Sequence, residues 1–367
     1  MALTQEHTLL QNTLRKFAQK ELLDKASDLD QKGQFPTAIV AKLAELGIMG
    51  GAVPEQFEGT SLDMTSMVIS LEELSQVCGS TGLVVAIHNL FVCHPVAEFG
   101  AEPLKTKYLP KLAFGEILGG FGEPALTSVA AAGDGENLRL SGECKNVICG
   151  HTQGLYLVFV RSDLATPALT ALVVEGNTPG MKILGPADSI GMRAAGMCAV
   201  RFDNVLVPKS QILGAEGSGQ KVYEEICDRA RIGLAAIALG LGQAAIDASV
   251  MYTRTRIQFG EPVINFGMVQ SKLAEMTTRA QAGRLLTYSA AERCDQNKPF
   301  AADAAIAKYF SARTAVQNTT DAIQLHGGYG YIKDYPAERF FRDCQICGVL
   351  CGAPYQDREF IARKVIG

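Results

Sequence analysis

Residues 228–260 read DRARIGLAAIALGLGQAAIDASVMYTRTRIQFG, and the reading of the fold turns on this stretch. It opens on charge, continues without proline through Ala, Leu, Ile and Gly, and closes at Phe259-Gly260. Ile232, Ala236, Leu239, Ala244 and Ile246 keep roughly a helical spacing, which predicts one long helix buried on most of its sides. Gly233, Ala235, Ala236, Gly240 and Gly242 are small enough to let a neighbouring backbone come close. Asp228 and Arg231, at i and i+3, share a face at its start, whereas Arg254 and Arg256 stand where it runs out. A buried helix with separate polar groups at its ends either bridges two sites or merely solvates its ends, and spacing alone leaves both open.

Upstream, 5–30, 36–47, 62–77, 81–99 and 103–114 have helical apolar spacing, broken at Gly50-Gly51, Pro54, Gly59, Gly79 and Gly100. His88-Asn89 falls inside an apolar helix, where a polar pair is either a satisfied core group or a pocket-lining candidate. From Gly119 to about Gly217 the apolar runs become short and strand-like, as in Leu155-Tyr-Leu-Val-Phe-Val, and turns such as Gly133-Asp134-Gly135 and Pro179-Gly180 separate them. Helical spacing returns over 220–255, 266–296, 302–325 and, briefly, 336–350. The expected class is therefore α+β and multidomain: an N-terminal α-helical domain over 1–116, a central β-barrel or sandwich over 117–218, and a C-terminal helical bundle over 219–367.

With 367 residues, 47% hydrophobic and 20% charged, the chain can bury several cores and does not read as disordered. A net charge of -4 and a pI near 5.8, with no Lys/Arg run, argue against nucleic acid as the main partner. The amphipathic N-terminus, MALTQEHTLLQNTLRKFAQKELL, is not a signal peptide, and no stretch approaches the roughly 20 uninterrupted apolar residues of a membrane span. Ten cysteines without an export signal read as reduced thiols in the cytoplasm. Cys344, Cys347 and Cys351 are spaced i, i+3, i+7, which on a helix puts small core residues on one face, and without a fourth ligand no metal site is expected.

GMRAAGMCAVRFDNVLVPKSQILGAEGSG at 191–219, RTRIQFGEPV at 254–263 and DAIQLHGGYGYIKDYPAERFFRD at 321–343 together resemble the acyl-CoA dehydrogenase family, over essentially the whole chain. The resemblance implies a C-terminal four-helix bundle, with FAD lying between the β-domain and the bundle. It also implies α,β-oxidation of an acyl-CoA, electrons passed to an electron-transferring flavoprotein, and a homotetramer or a hetero-oligomer with a related subunit. Arg256 matches the arginine that meets the pyrophosphate of a neighbour's FAD, a role that suits a fixed guanidinium. Phe259 matches the aromatic residue near the adenine, and Gln324, Gly327 and Gly328 the segment where backbone approaches the dinucleotide. Asp228 and Arg231 match contacts to the CoA part of the substrate. Glu123 and Ser128 match the FAD-cradling strand, Ser128 also near the substrate, and Cys149 the strand beside the flavin ring.

The departures cluster. The family's catalytic base is a glutamate in a Tyr-Glu-Gly-Thr segment after the Arg-Asp pair matched by Arg342-Asp343; here the segment is Leu350-Cys351-Gly352-Ala353, so Cys351 holds the base position. Members that carry the glutamate on the long helix have it at the position of Ala230. The usual Thr-Glu-Pro strand begins with Gly122, and Trp-Ile-Thr becomes Val147-Ile148-Cys149. Burial tunes a carboxylate for removing an α-proton while hydride leaves the β-carbon. A thiol, with an ordinary pKa near ~8.5, needs a cationic neighbour, and none is obvious in the sequence. Three readings follow: a dehydrogenase whose acid comes from elsewhere, such as Asp357 or Glu359; a catalytically silent subunit completing a partner's FAD site; or a non-oxidative decarboxylase or lyase.

Overall fold

Thr4 starts the first helix with a reciprocal cap, its hydroxyl accepting from the His7 amide while the His7 ring accepts from the Thr4 amide. The computed structural model describes residues 3–150, 154–162 and 168–366. Seven helices come first: α1 (Gln5–Glu21), α2 (Ala26–Lys32), α3 (Thr37–Glu45), α4 (Met64–Ser75), α5 (Gly79–Ala86), α6 (His94–Phe99) and α7 (Glu102–Ala113). α4 and α5 are buried along their whole length and form the middle of this layer.

The expected single helix over 81–99 is three pieces, because Ile87–Cys93 winds as a π-helix between α5 and α6. His88 and Asn89 lie in that segment and are structural, not pocket-lining. The Asn89 side chain accepts from the Ala52 amide (2.9 Å) and donates to the carbonyls of Ile48 (3.0 Å) and Val85 (3.1 Å). His88 Nδ1 accepts from the Gly119 amide at 3.0 Å, so Nε2 carries the proton and donates to the Leu112 carbonyl at 3.1 Å. Only neutral imidazole satisfies both contacts, and burial holds its pKa down from 6.5 to about 4. A depressed histidine contributes stability that is full above pH 6.5 and is lost as pH falls through about 4. The shift corresponds to roughly 3 kcal/mol. His88→Gln, which cannot charge, should therefore flatten the fall in stability between those pH values in urea titrations; an unchanged slope would place the acid sensitivity elsewhere.

Seven strands follow: β1 (Gly119–Phe121), β2 (Ala130–Asp134), β3 (Asn137–Val147), β4 (Leu155–Ser162), β5 (Leu169–Glu175), β6 (Met181–Pro186) and β7 (Cys198–Pro208). They form one curled sheet in the order β1-β4-β2-β3-β7-β6, with β5 also paired to β4. Register shifts between β3 and β7 and between β6 and β7 bend it. β4 is buried on both faces: Leu155, Leu157 and Phe159 join the helical core, while Tyr156, Val158 and Val160 join the sheet's own core. That alternation seats the sheet against the helices.

The long helix is real. α8 (Gly219–Thr255) spans 37 residues and carries Ile232, Ala236 and Ala244 into the core. A Cβ at Gly240 would stand 2.4 Å from the Glu72 carbonyl, so only glycine lets α4 cross this closely. A hairpin of β8 (Ile257–Gln258) and β9 (Glu261–Pro262) leads into α9 (Gly267–Asp295) and α10 (Ala301–His326), which pack on α8 as a bundle. α11 (Ala337–Cys344) and α12 (Pro354–Ile366) complete the chain, α12 lying against α10.

Two sequence readings are corrected here. The helix expected over 336–350 ends at Cys344, and α12 went unread although Pro354 at its first position is a starting signal. The three cysteines therefore share no helix face, since Cys347 sits in a 3-10 turn and Cys351 in a loop at φ 57°. Segments 79–99 and 219–255 are also long and apolar enough to cross a membrane by composition, yet 78% and 72% of their apolar windows are buried inside this fold. They are core helices.

Candidate functional site

Lys308 is the only charge in the run Ala304–Phe310 on α10, and its side chain is fully buried. Its ammonium meets Asp357 Oδ2 at 2.9 Å in the first turn of α12 and donates to the Gly352 carbonyl, clamping the loop that carries Cys351. Arg231 approaches Asp357 Oδ1 at 3.5 Å without completing a hydrogen bond. It donates to Asp228 Oδ1 at 2.9 Å and lies over the Phe360 ring at 4.5 Å. The pair at i and i+3 thus does share a face, but Arg231 is turned inward into a row running Asp228, Arg231, Asp357, Lys308.

Cys351, at the end of that row, is 2% exposed. Burial first, and then the adjoining Cys227 thiol, hold its pKa well above the ordinary thiol range, while Lys308 pulls the other way. The cationic neighbour that sequence did not reveal is therefore present. Asp357 already neutralises it, so the thiol stays protonated at neutral pH.

Glu123 comes to the same place from the end of β1. The Tyr223 hydroxyl donates to its Oε1, and its Oε2 is buried without a hydrogen-bond partner. Burial raises its pKa most; Tyr223, the Cys351 amide close by and Lys308 oppose that rise. The Tyr223 ring is itself fixed edge-on against Phe159 at 5.6 Å. Ser128 is exposed, and its hydroxyl bonds the backbone of Glu143. Cys149 is buried at φ 57°.

A second set gathers where α8 and α10 end. Arg256, Gln324, Gly327 and Gly328, with Tyr252 and His326, line an open cleft of about 410 Å³. The Arg256 guanidinium lies 5.9 Å from the centre of the Tyr329 ring. Phe259 is not part of this cleft; it stands 95% exposed at the hairpin tip, against Phe266. A Cβ added at Gly327 or Gly328 would meet nothing within 4 Å, so the space before them is open. A guanidinium, a carboxamide and two accessible glycine backbones suit a pyrophosphate, and this cleft fits the ADP end of FAD. The ring end is different. A Cβ at Gly122 would stand 2.6 Å from Cys144 Sγ, so a threonine side chain fits there only if that sulphur moves.

Sequence reading missed Lys308, Tyr223 and Cys227. A lone lysine inside an alanine-rich helix run is a signal that could have exposed the first. Nothing in the local sequence marks the other two.

Residues 4–116 match the family model described as acyl-CoA dehydrogenase, N-terminal domain, and residues 217–366 that for the C-terminal domain. The short-chain specific mitochondrial acyl-CoA dehydrogenase of Bos taurus is 35% identical over 374 residues, covering 99% of this chain and 91% of the relative. The structure of butyryl-CoA dehydrogenase from Megasphaera elsdenii superposes with a TM-score of 0.96 at 30% identity, covering 100% of both chains. A chain solved in work on the electron transferring flavoprotein of Acidaminococcus fermentans reaches the same TM-score of 0.96 at 32% identity, covering 100% of this chain and 99% of that one. The protein belongs to the acyl-CoA dehydrogenase family, FAD-dependent oxidoreductases of CoA thioesters.

Proposed function

We propose that the chain oxidises a short-chain acyl-CoA at its α,β bond and hands the electrons to an electron-transferring flavoprotein, in an oligomer whose protomers complete one another's FAD sites. The observation that carries this reading is the separation of two polar centres along shared helices. Lys308 and Gln324 lie on α10 about 24 Å apart, and Arg231 on α8 lies about 38 Å from Arg256 at its C-terminal cap, at 1.5 Å of rise per residue. Such spacing suits a chain that keeps a reacting centre at one end of its bundle and offers an ADP cleft to a neighbour at the other. The short acyl chain follows the names of the relatives. The burial of all ten cysteines suits a reducing compartment such as the cytoplasm.

When bound, FAD supplies the acceptor for the β-hydride. Arg256, Gln324, Gly327 and Gly328 would hold its ADP end, and the row from Asp228 to Lys308 fixes the loop at the base position. Cys351 itself is a poor base because it is buried and protonated. Of the acids considered as substitutes, Asp357 is committed to Lys308, and Glu359 is 61% exposed beside Arg363.

The sulphur of Cys144 beside Gly122 favours a second reading, in which the chain completes a partner's FAD site without turnover of its own. Purification with a flavin-to-protein measurement separates the two. About one flavin per chain, bleached by butyryl-CoA, is the result expected of the dehydrogenase. Flavin that binds only after a related chain is added would establish the supporting subunit instead.

A further inference from the structure

We propose that Glu123 is the catalytic base of this protein, taking the substrate's α-proton in place of the glutamate that Cys351 replaces. The inference rests on the dehydrogenase reading above and names the group that reading lacks. Glu123 lies in a different third of the chain from Cys351, yet its carboxylate comes close to the Cys351 amide. Cysteine ends one heavy atom beyond Cβ where glutamate continues for four, so Cys351 brings no carboxylate to this place and Glu123 does.

The two oxygens of Glu123 are unlike. Oε1 is held by the Tyr223 hydroxyl, while Oε2 is buried and completes no hydrogen bond of ordinary geometry, the Cys351 amide being the nearest backbone donor to the carboxylate. A buried oxygen left unsatisfied costs about 1–3 kcal/mol, and such atoms call for an explanation. A lone pair kept ready for a proton is one. The groups that face this carboxylate are Tyr223 from α8, Cys144 from β3, Lys308 from α10, and Cys351 from its loop. The Cys144 and Cys351 thiols are held above their ordinary range by burial, so neither competes as an anion. Lys308 is spent on Asp357 and does not cancel the basicity of the carboxylate. Burial disfavours the charged form, which makes the anion a stronger base.

In the step assigned to it, the α C–H bond breaks, the proton passes to Oε2, and the electron pair remains on the α-carbon, delocalised into the thioester carbonyl. This half needs no oxidant. It can be followed as exchange of α-hydrogen for deuterium in D2O with a 3-thia-acyl-CoA, whose β-sulphur has no hydride to give.

The natural chain should exchange, and Glu123→Gln should slow exchange by about 100-fold or more. Adding Cys351→Glu to Glu123→Gln should restore it, because the second substitution returns a carboxylate to the same place from the other side. Undiminished exchange by Glu123→Gln would overturn the assignment while leaving the dehydrogenase reading intact. Loss without rescue in a folded double variant would also overturn it, since Glu123 would then be structural. No exchange by the natural chain would overturn both.

Discussion

Lys308→Met should destabilise the fold by about 3–5 kcal/mol, the range for removing one partner of a buried ion pair. The side chains of Lys308 and Asp357 are 0% and 1% exposed, so the orphaned carboxylate has no water to turn to. Arg231 is the nearest substitute, but it stands 3.5 Å from the other oxygen without a hydrogen bond and already serves Asp228. The Gly352 carbonyl loses its donor in the same stroke, freeing the Cys351 loop. Burial already raises the Asp357 pKa against the pull of Lys308 and Arg231, and removing the lysine takes away the first opposing influence. The penalty on the ionised carboxylate is full at neutral pH and shrinks as pH falls through the raised pKa, where Asp357 binds a proton. Urea titrations at pH 7 and pH 5 should show a larger deficit at pH 7. The double variant Lys308→Met/Asp357→Leu should recover most of it, since apolar groups of matching volume replace buried pairs at little cost. A deficit under about 1 kcal/mol for the single variant would mean that Arg231 rotates to take over the carboxylate.

Arg256→Gln should weaken FAD binding by about 10–100-fold, the equivalent of one or two charge-assisted hydrogen bonds to phosphate. The substitution should leave folding alone. Arg256 is exposed just beyond the last turn of α8 and makes no ion pair among the described residues, and its loose contact with the Tyr329 ring contributes little to folding. FAD titration into the flavin-stripped protein by fluorescence gives the affinity, and thermal melting of the same samples gives the control. Raising salt should weaken the natural protein more than the variant, because screening acts on the charge that has been removed. Equal affinities would show that Gln324 and the glycine backbones hold the dinucleotide without it.

The elements whose information is local were legible in the sequence. α8 follows from apolar spacing over 228–255 and the absence of proline, and the sheet follows from short runs between turns. Arg256 and the Gln324–Gly328 segment, which end two helices and each carry their own pattern, meet in one cleft, while Phe259 stands outside it. Cysteine spacing at 344, 347 and 351 misled, since period alone cannot show that the helix stops at Cys344. The π-helix at Ile87–Cys93, where His88 and Asn89 bond across the layer, was equally hidden, because apolar spacing does not distinguish it from an α-helix.

Local patterns in the chain carry its family, the order of helical and β-layers, and the presence of a cysteine at position 351. What surrounds Cys351 arises only in the tertiary fold. Glu123 from the sheet, Tyr223 and Cys227 from α8 and Lys308 from α10 meet Cys351 only after the layers close. Burial and charge pairing, which set whether an acid or a thiol can hold a proton, belong to that meeting and to no segment of the chain.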